Sequence, residues 1–129
     1  MFKQIILLPT RGFTLIELLV VMAIIATLLS IVAPRYFTSV DRARETVLKQ
    51  NLSIMRDAID KYFSDTGKYP LSLQNLVDER YIRAIPVDPI TEQAVWTEVP
   101  PPDEEIEGVY DIRTTSDKQA LDGTFYEKW

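Results

Sequence analysis

The chain is predicted to be α+β, with a long N-terminal helix, half of it membrane-spanning and half amphipathic, packed on a small antiparallel sheet. Three features predict this. An uncharged run extends from Leu18 to Pro34, and an apolar stripe at helical spacing follows it from Tyr36 to Tyr62. Beyond a proline-rich stretch, Ala94–Val99 and Gly108–Arg113 are short runs rich in strand-forming residues.

The first segment sets the organisation of the rest. Leu18 to Pro34 gives 17 residues without a charge. With Phe13 to Ile16 the apolar stretch reaches about 20 residues, enough to cross a ~30 Å hydrocarbon core as a helix. An ordinary secretory signal is the competing reading. Its apolar region is typically shorter and ends in a small-x-small site, whereas cutting after Ala33 would leave Ile31 before the cut and Pro34 just after it. Lys3 and Arg11 precede the span, which puts the N-terminus in the cytoplasm and the remainder outside.

Glu17 stands out because a carboxylate inside an apolar span costs a few kcal/mol and calls for a partner or a proton. If the chain is cut between Gly12 and Phe13, the new amine lies four residues before Glu17, one helical turn away. The alternative is a helix-start carboxylate near the headgroups, stabilised by the helix dipole.

Arg11-Gly12-Phe13-Thr14-Leu15-Ile16-Glu17-Leu18-Leu19-Val20-Val21-Met22 resembles the class III signal of type IV pilins and pseudopilins. The resemblance implies a pilin-like fold, removal of residues 1–12 as a leader by a prepilin peptidase and N-methylation of Phe13. It also implies a role for Glu17 in docking each subunit to its neighbour. Pro34 falls where these families commonly carry a helix-bending proline. The leader departs from the pattern, because Ile5-Ile6-Leu7-Leu8-Pro9 is more apolar than a short basic leader.

Past Pro34 the stripe comprises Tyr36, Val40, Ala43, Val47, Leu52, Met55, Ile59 and Tyr62, with Leu48 repairing its one irregular step. Glu45/Lys49 and Asp57/Lys61 are spaced as i,i+4 pairs on the surface. Residues 13–34 are thus expected to span the membrane, 35–66 to continue the helix, and 67–129 to form a small periplasmic α+β region. Gly67 is a suitable stop and Ser72 a cap for a short helix carrying Leu73, Leu76 and Val77. A third extended segment is read near Gly123–Tyr126.

Tyr62-Phe-Ser-Asp-Thr-Gly-Lys-Tyr-Pro70, Leu76-Val77, Tyr81-Ile82 and Ile85-Pro-Val-Asp-Pro89 resemble the middle of the G-type, or major, pseudopilin of type II secretion. That family follows Asp-Pro with an aromatic and a glycine and binds calcium in its C-terminal loop, whereas Ile90-Thr91 follows here. The loop Asp117–Gly123 offers only Asp117 and Asp122, few for an ion that needs about 6–8 oxygen ligands. No cofactor is therefore expected, with calcium at Asp117 and Asp122 as the minor reading.

Composition narrows the function classes. The 129 residues suffice for one small domain and an anchor, and contain neither Cys nor His. That removes thiol nucleophiles, disulfides, the usual zinc ligand sets and the side chain best suited to proton transfer near neutral pH. The 14 Lys and Arg against 19 Asp and Glu give a net charge of −5. Without Lys3 and Arg11 the balance is 12 against 19, or −7, which disfavours a nucleic-acid partner. The acidic run Asp103, Glu104, Glu105 and Glu107 reads as a solvated loop or a cation or basic-partner site. Trp96 and Trp129 read as core or edge cover, or as partner-binding anchors.

The resemblance implies a structural subunit of a type II secretion pseudopilus, anchored in the bacterial inner membrane by a single pass. Its partners would be other copies of itself, related pseudopilins, the prepilin peptidase and an inner-membrane assembly platform. A type IV pilus subunit is the near alternative, although the C-terminal disulfide loop common in pilins is absent. A membrane-anchored enzyme using only carboxylates is the distant one, and no pair of carboxylates facing a cleft can be assigned.

Overall fold

Helix α1 runs from Leu15 to Thr66 in the computed structural model, which describes all 129 residues. The chain divides into two compact units, Met1–Thr38 and Ser39–Trp129. The first contains residues 1–14, without regular structure, and the apolar part of α1, whose side chains are exposed throughout. One 18-residue window of α1 is long and apolar enough to cross a membrane, and none of that window is buried. Pro34 lies inside the helix. It has no N–H for the carbonyl one turn earlier, while its own carbonyl accepts from Thr38 Oγ1 at 3.1 Å.

In the second unit α1 buries Leu48, Leu52, Met55, Ala58 and Ile59. Ahead of Leu48 only Val40 of the predicted stripe is partly covered, and full burial begins at Leu48, where the rest of the unit packs on it. Leu48, not Val47, points inward, and Tyr36, Ala43 and Val47 are exposed. Each fully buried Leu or Ile contributes about 1.5–3 kcal/mol relative to exposure. The helix stops as expected: Gly67 adopts φ +72° and donates its N–H to Phe63 O at 2.8 Å.

Helix α2, Leu73–Asp78, begins at Ser72, whose extended backbone leaves its Oγ free to accept from Asn75 N–H at 3.3 Å. Leu73 and Leu76 are buried and Val77 is half-buried. The chain then turns at Asp88. Its N–H donates to Gln93 O at 2.9 Å, and its Oδ1 accepts from Ile90 N–H at 2.8 Å. The other carboxylate oxygen accepts from Thr114 Oγ1. Asp88 is fully buried, so these bonds replace the water it has lost.

Strands β1, Trp96–Val99, and β2, Asp111–Thr114, form a two-stranded antiparallel sheet in which Trp96 faces Thr114 and Val99 faces Asp111. Both are shorter than predicted. Gly108 takes φ +125°, and the next N–H, of Val109, donates to Pro70 O at 2.7 Å, so the ladder forms only beyond this point. The third extended segment forms no strand. A turn closed by Ala120 N–H to Thr124 O leaves one isolated bridge, Gln119 to Phe125, and a 3-10 helix at Tyr126–Lys128 follows. The core joins the α1 face to Leu73, Leu76, Trp96, Val109, Ile112, Ala120 and Tyr126. Trp96 is thus core, with its indole N–H donating to Pro86 O at 2.8 Å.

Candidate processing and assembly site

Gly12 and Phe13 lie in the irregular segment ahead of α1. A side chain at Gly12 would meet nothing within 4 Å, and Phe13 is 92% exposed. The helix predicted from Phe13 starts two residues later because Thr14 caps it. Glu17 N–H donates to Thr14 Oγ1 at 3.2 Å, and Thr14 N–H donates to Glu17 Oε2 at 3.2 Å. This reciprocal pair satisfies two donors that a helix start otherwise leaves orphaned. Glu17 is thereby held at the first turn of the apolar helix, with Phe13 just outside it. Thr14 is a site residue that sequence reasoning missed, although the Thr-x-x-Glu spacing ahead of an apolar run is its signal. Pro34, the fourth predicted site residue, is far along the same helix and is not brought near the other three.

A second constellation fixes the C-terminal loop to α1. Glu45 Oε1 accepts from Leu121 N–H at 2.7 Å and from the Tyr126 hydroxyl at 2.9 Å. Burial, followed by the Glu45 hydrogen bond and charge, pushes the Tyr126 phenol up to about 12. Arg56 Nε pairs with Asp111 Oδ1 at 2.7 Å, while its Nη2 donates to Ile112 O at 3.1 Å and Trp129 O at 2.8 Å. Lys49 Nζ sits 4.5 Å from the Trp129 ring centroid. The predicted Glu45/Lys49 and Asp57/Lys61 pairs do not form; Arg56–Asp111 is the one ion pair. Tertiary partners have taken Glu45 and Lys49 from each other.

Asp117 and Asp122 do not join a third acidic side chain in a group that could hold a metal ion. Asp122 Oδ1 instead accepts from Thr124 N–H at 2.9 Å and Thr124 Oγ1 at 2.6 Å, and these bonds hold its carboxyl below the usual range. The run Asp103–Glu107 is exposed, and Asp103 Oδ1 accepts from Glu105 N–H at 3.0 Å, as in a self-contained surface turn.

Comparison with known proteins gives this geometry a family. Residues 9–33 match the family model for the prokaryotic N-terminal methylation motif. The chain is 32% identical to type II secretion system core protein G of Pseudomonas aeruginosa over 94 residues, covering 60% of this chain and 66% of that one. It is 30% identical to core protein G of Klebsiella michiganensis over 95 residues, covering 61% and 67% respectively. It is also 39% identical to the type IV major pilin protein PilA of Myxococcus xanthus over 59 residues, 46% of this chain and 27% of that one. No solved structure matches. The chain spans about two thirds of the length of the core protein G relatives. A methylation motif at the start of an uncovered apolar helix, together with 30% identity over two thirds of a core protein G, shows that the chain belongs to the pilin-like family of type II secretion core protein G, the G-type pseudopilins.

Proposed function

We propose that this pseudopilin is cut between Gly12 and Phe13 by a prepilin peptidase, N-methylated at Phe13, and assembled from the bacterial inner membrane into a filament that moves proteins outward. Its role is structural and its partners are copies of itself and related pseudopilins. The apolar part of α1 is the single membrane pass, with the N-terminus cytoplasmic and residues 67–129 periplasmic. The observation that carries this reading is the Thr14–Glu17 pair, which holds one carboxylate at the start of the exposed apolar part of α1, immediately after an accessible Gly12–Phe13 bond. Cleavage would create a positive amine beside that carboxylate, in the chain or on a neighbour, which lowers the cost of keeping the charge in lipid.

Intact-mass and N-terminal peptide analysis of the membrane-bound protein tests it. The expected result is a chain beginning with methylated Phe13 and recovered in sheared filaments. Chains starting at Pro34, or retaining Met1, would rule it out. The similarity to a type IV major pilin favours a second reading, a subunit of a surface pilus. Deletion that abolishes surface fibres while leaving protein export intact would select it.

A further inference from the structure

We propose that Arg35, Tyr36 and Phe37 form an interfacial anchor that seats α1 in the phospholipid headgroup layer where the helix leaves the membrane on its periplasmic side. This rests on the membrane-spanning reading of α1 given above.

Helix length places these residues. The 20 residues from Leu15 to Pro34 rise about 30 Å at 1.5 Å each, matching the hydrocarbon thickness, so the next three residues fall at its far boundary. Arg35 is the first charge after Glu17. Tyr36 and Phe37 are 64% and 65% exposed, belong to no core cluster, and touch each other edge to face with ring centroids 5.9 Å apart. The buried face of α1 begins only at Leu48, about three turns farther on. Both rings therefore stand outside the chain's own core.

Chemistry selects the occupant. At about 100° per residue, three consecutive side chains ring more than half of the helix circumference, as a collar rather than a stripe. A stripe would fit one neighbouring helix; a collar fits a surrounding layer. Aromatic rings with an apolar body, one carrying a polar tip, favour a boundary that is dry on one side and wet on the other. The guanidinium of Arg35 makes no ion pair within the chain, and its stem can lie along the apolar surface while its fork meets a lipid phosphate.

The native chain contains no cysteine, so single nitroxide labels can be placed without removing others. Full-length protein carrying either Ile25→Cys or Ser39→Cys is labelled and reconstituted in vesicles of phosphatidylethanolamine and phosphatidylglycerol. Accessibility to oxygen and to a water-soluble nickel chelate is then read by power saturation. The Ile25 label is expected in the oxygen-rich interior and the Ser39 label at headgroup depth. In a Tyr36→Ser/Phe37→Ser background, nickel accessibility at Ser39 should rise at least about twofold, with unchanged circular dichroism because neither ring is in the core. Arg35→Gln should remove any difference in Ser39 depth between phosphatidylglycerol-containing and purely zwitterionic vesicles.

An unchanged Ser39 profile in the double variant, with Ile25 still in lipid, overturns the anchor and leaves the membrane span standing. An Ile25 label exposed to water overturns the span and the anchor with it. Protection at Ser39 that disappears on dilution with lipid assigns the collar to a second copy of the chain instead, and also overturns it.

Discussion

The Tyr126 hydroxyl donates to the Glu45 carboxylate at 2.9 Å, joining residues 81 positions apart, and Leu121 N–H donates to the same carboxylate oxygen. One acidic side chain on α1 thus holds both arms of the C-terminal loop. Tyr126→Phe keeps the buried ring and removes one bond to a charged acceptor, which is expected to cost about 1.5–3 kcal/mol. Glu45→Ala removes the acceptor from both donors and should cost at least as much. Denaturant unfolding of the two variants measures this, and equal stability with the native chain would show that apolar packing alone holds the loop.

The same contact carries a pH dependence. The Tyr126 phenol is raised from 10.0 to about 12, so the folded state holds its proton more tightly than the unfolded state does. Its stabilising contribution should be fully present below pH 10 and lost as pH rises toward 12. Tyrosinate absorbance recorded together with circular dichroism should show a late ionisation that Tyr126→Phe removes, leaving only the rise of Tyr81, whose hydroxyl donates to Asp65.

Gly108 is expected to reject any side chain. A Cβ there would lie 2.7 Å from Tyr69 Cβ and 3.0 Å from Pro70 O, at a φ of +125° that other residues rarely adopt. Gly108→Ala must displace the segment that bonds Val109 to Pro70, and should destabilise by about 1–3 kcal/mol in a thermal or denaturant melt. At the exposed Gly123 an added Cβ would meet nothing within 4 Å, so Gly123→Ala provides the comparison in which only backbone strain is added.

A fragment beginning at Ser39 is expected to be a soluble monomer, because the uncovered apolar part of α1 lies before it. In that fragment Leu52→Ala or Ile59→Ala should cost about 2–5 kcal/mol, both side chains being almost fully buried. Unchanged denaturation midpoints would place the α1 face on the surface.

If the proposed processing and assembly hold, Glu17→Leu, which makes the apolar helix more apolar, should leave insertion and cleavage intact and lower entry into filaments, because the proposed neighbouring amine would lose its partner. Glu17→Gln tests charge with shape nearly preserved, and both variants alter the reciprocal bond to Thr14. The fraction of processed subunit in sheared filaments, with the variant as the sole copy, measures this. Native incorporation by both variants would show that Glu17 serves only as a helix-start cap and that docking comes from apolar packing.

Local patterns are legible in the chain itself. Periodicity foretells α1, Ser72 and Gly67 mark a start and a stop, and the turn-rich stretch announces short strands, because each depends on residues within a few positions of one another. The capping box at Thr14–Glu17 is equally local and equally readable. What sequence by itself determined is therefore the α+β architecture, the uncovered apolar helix with one carboxylate at its start, and the resemblance that names the family. Tertiary structure alone decided that Leu48 rather than Val47 turns inward, that the sheet stops at two strands, and that Glu45 serves Leu121 and Tyr126 rather than Lys49. These choices rest on partners dozens of residues away, where hydrogen bonds to a charged acceptor or a packed ring outweigh the few tenths of a kcal/mol that an exposed i,i+4 pair supplies.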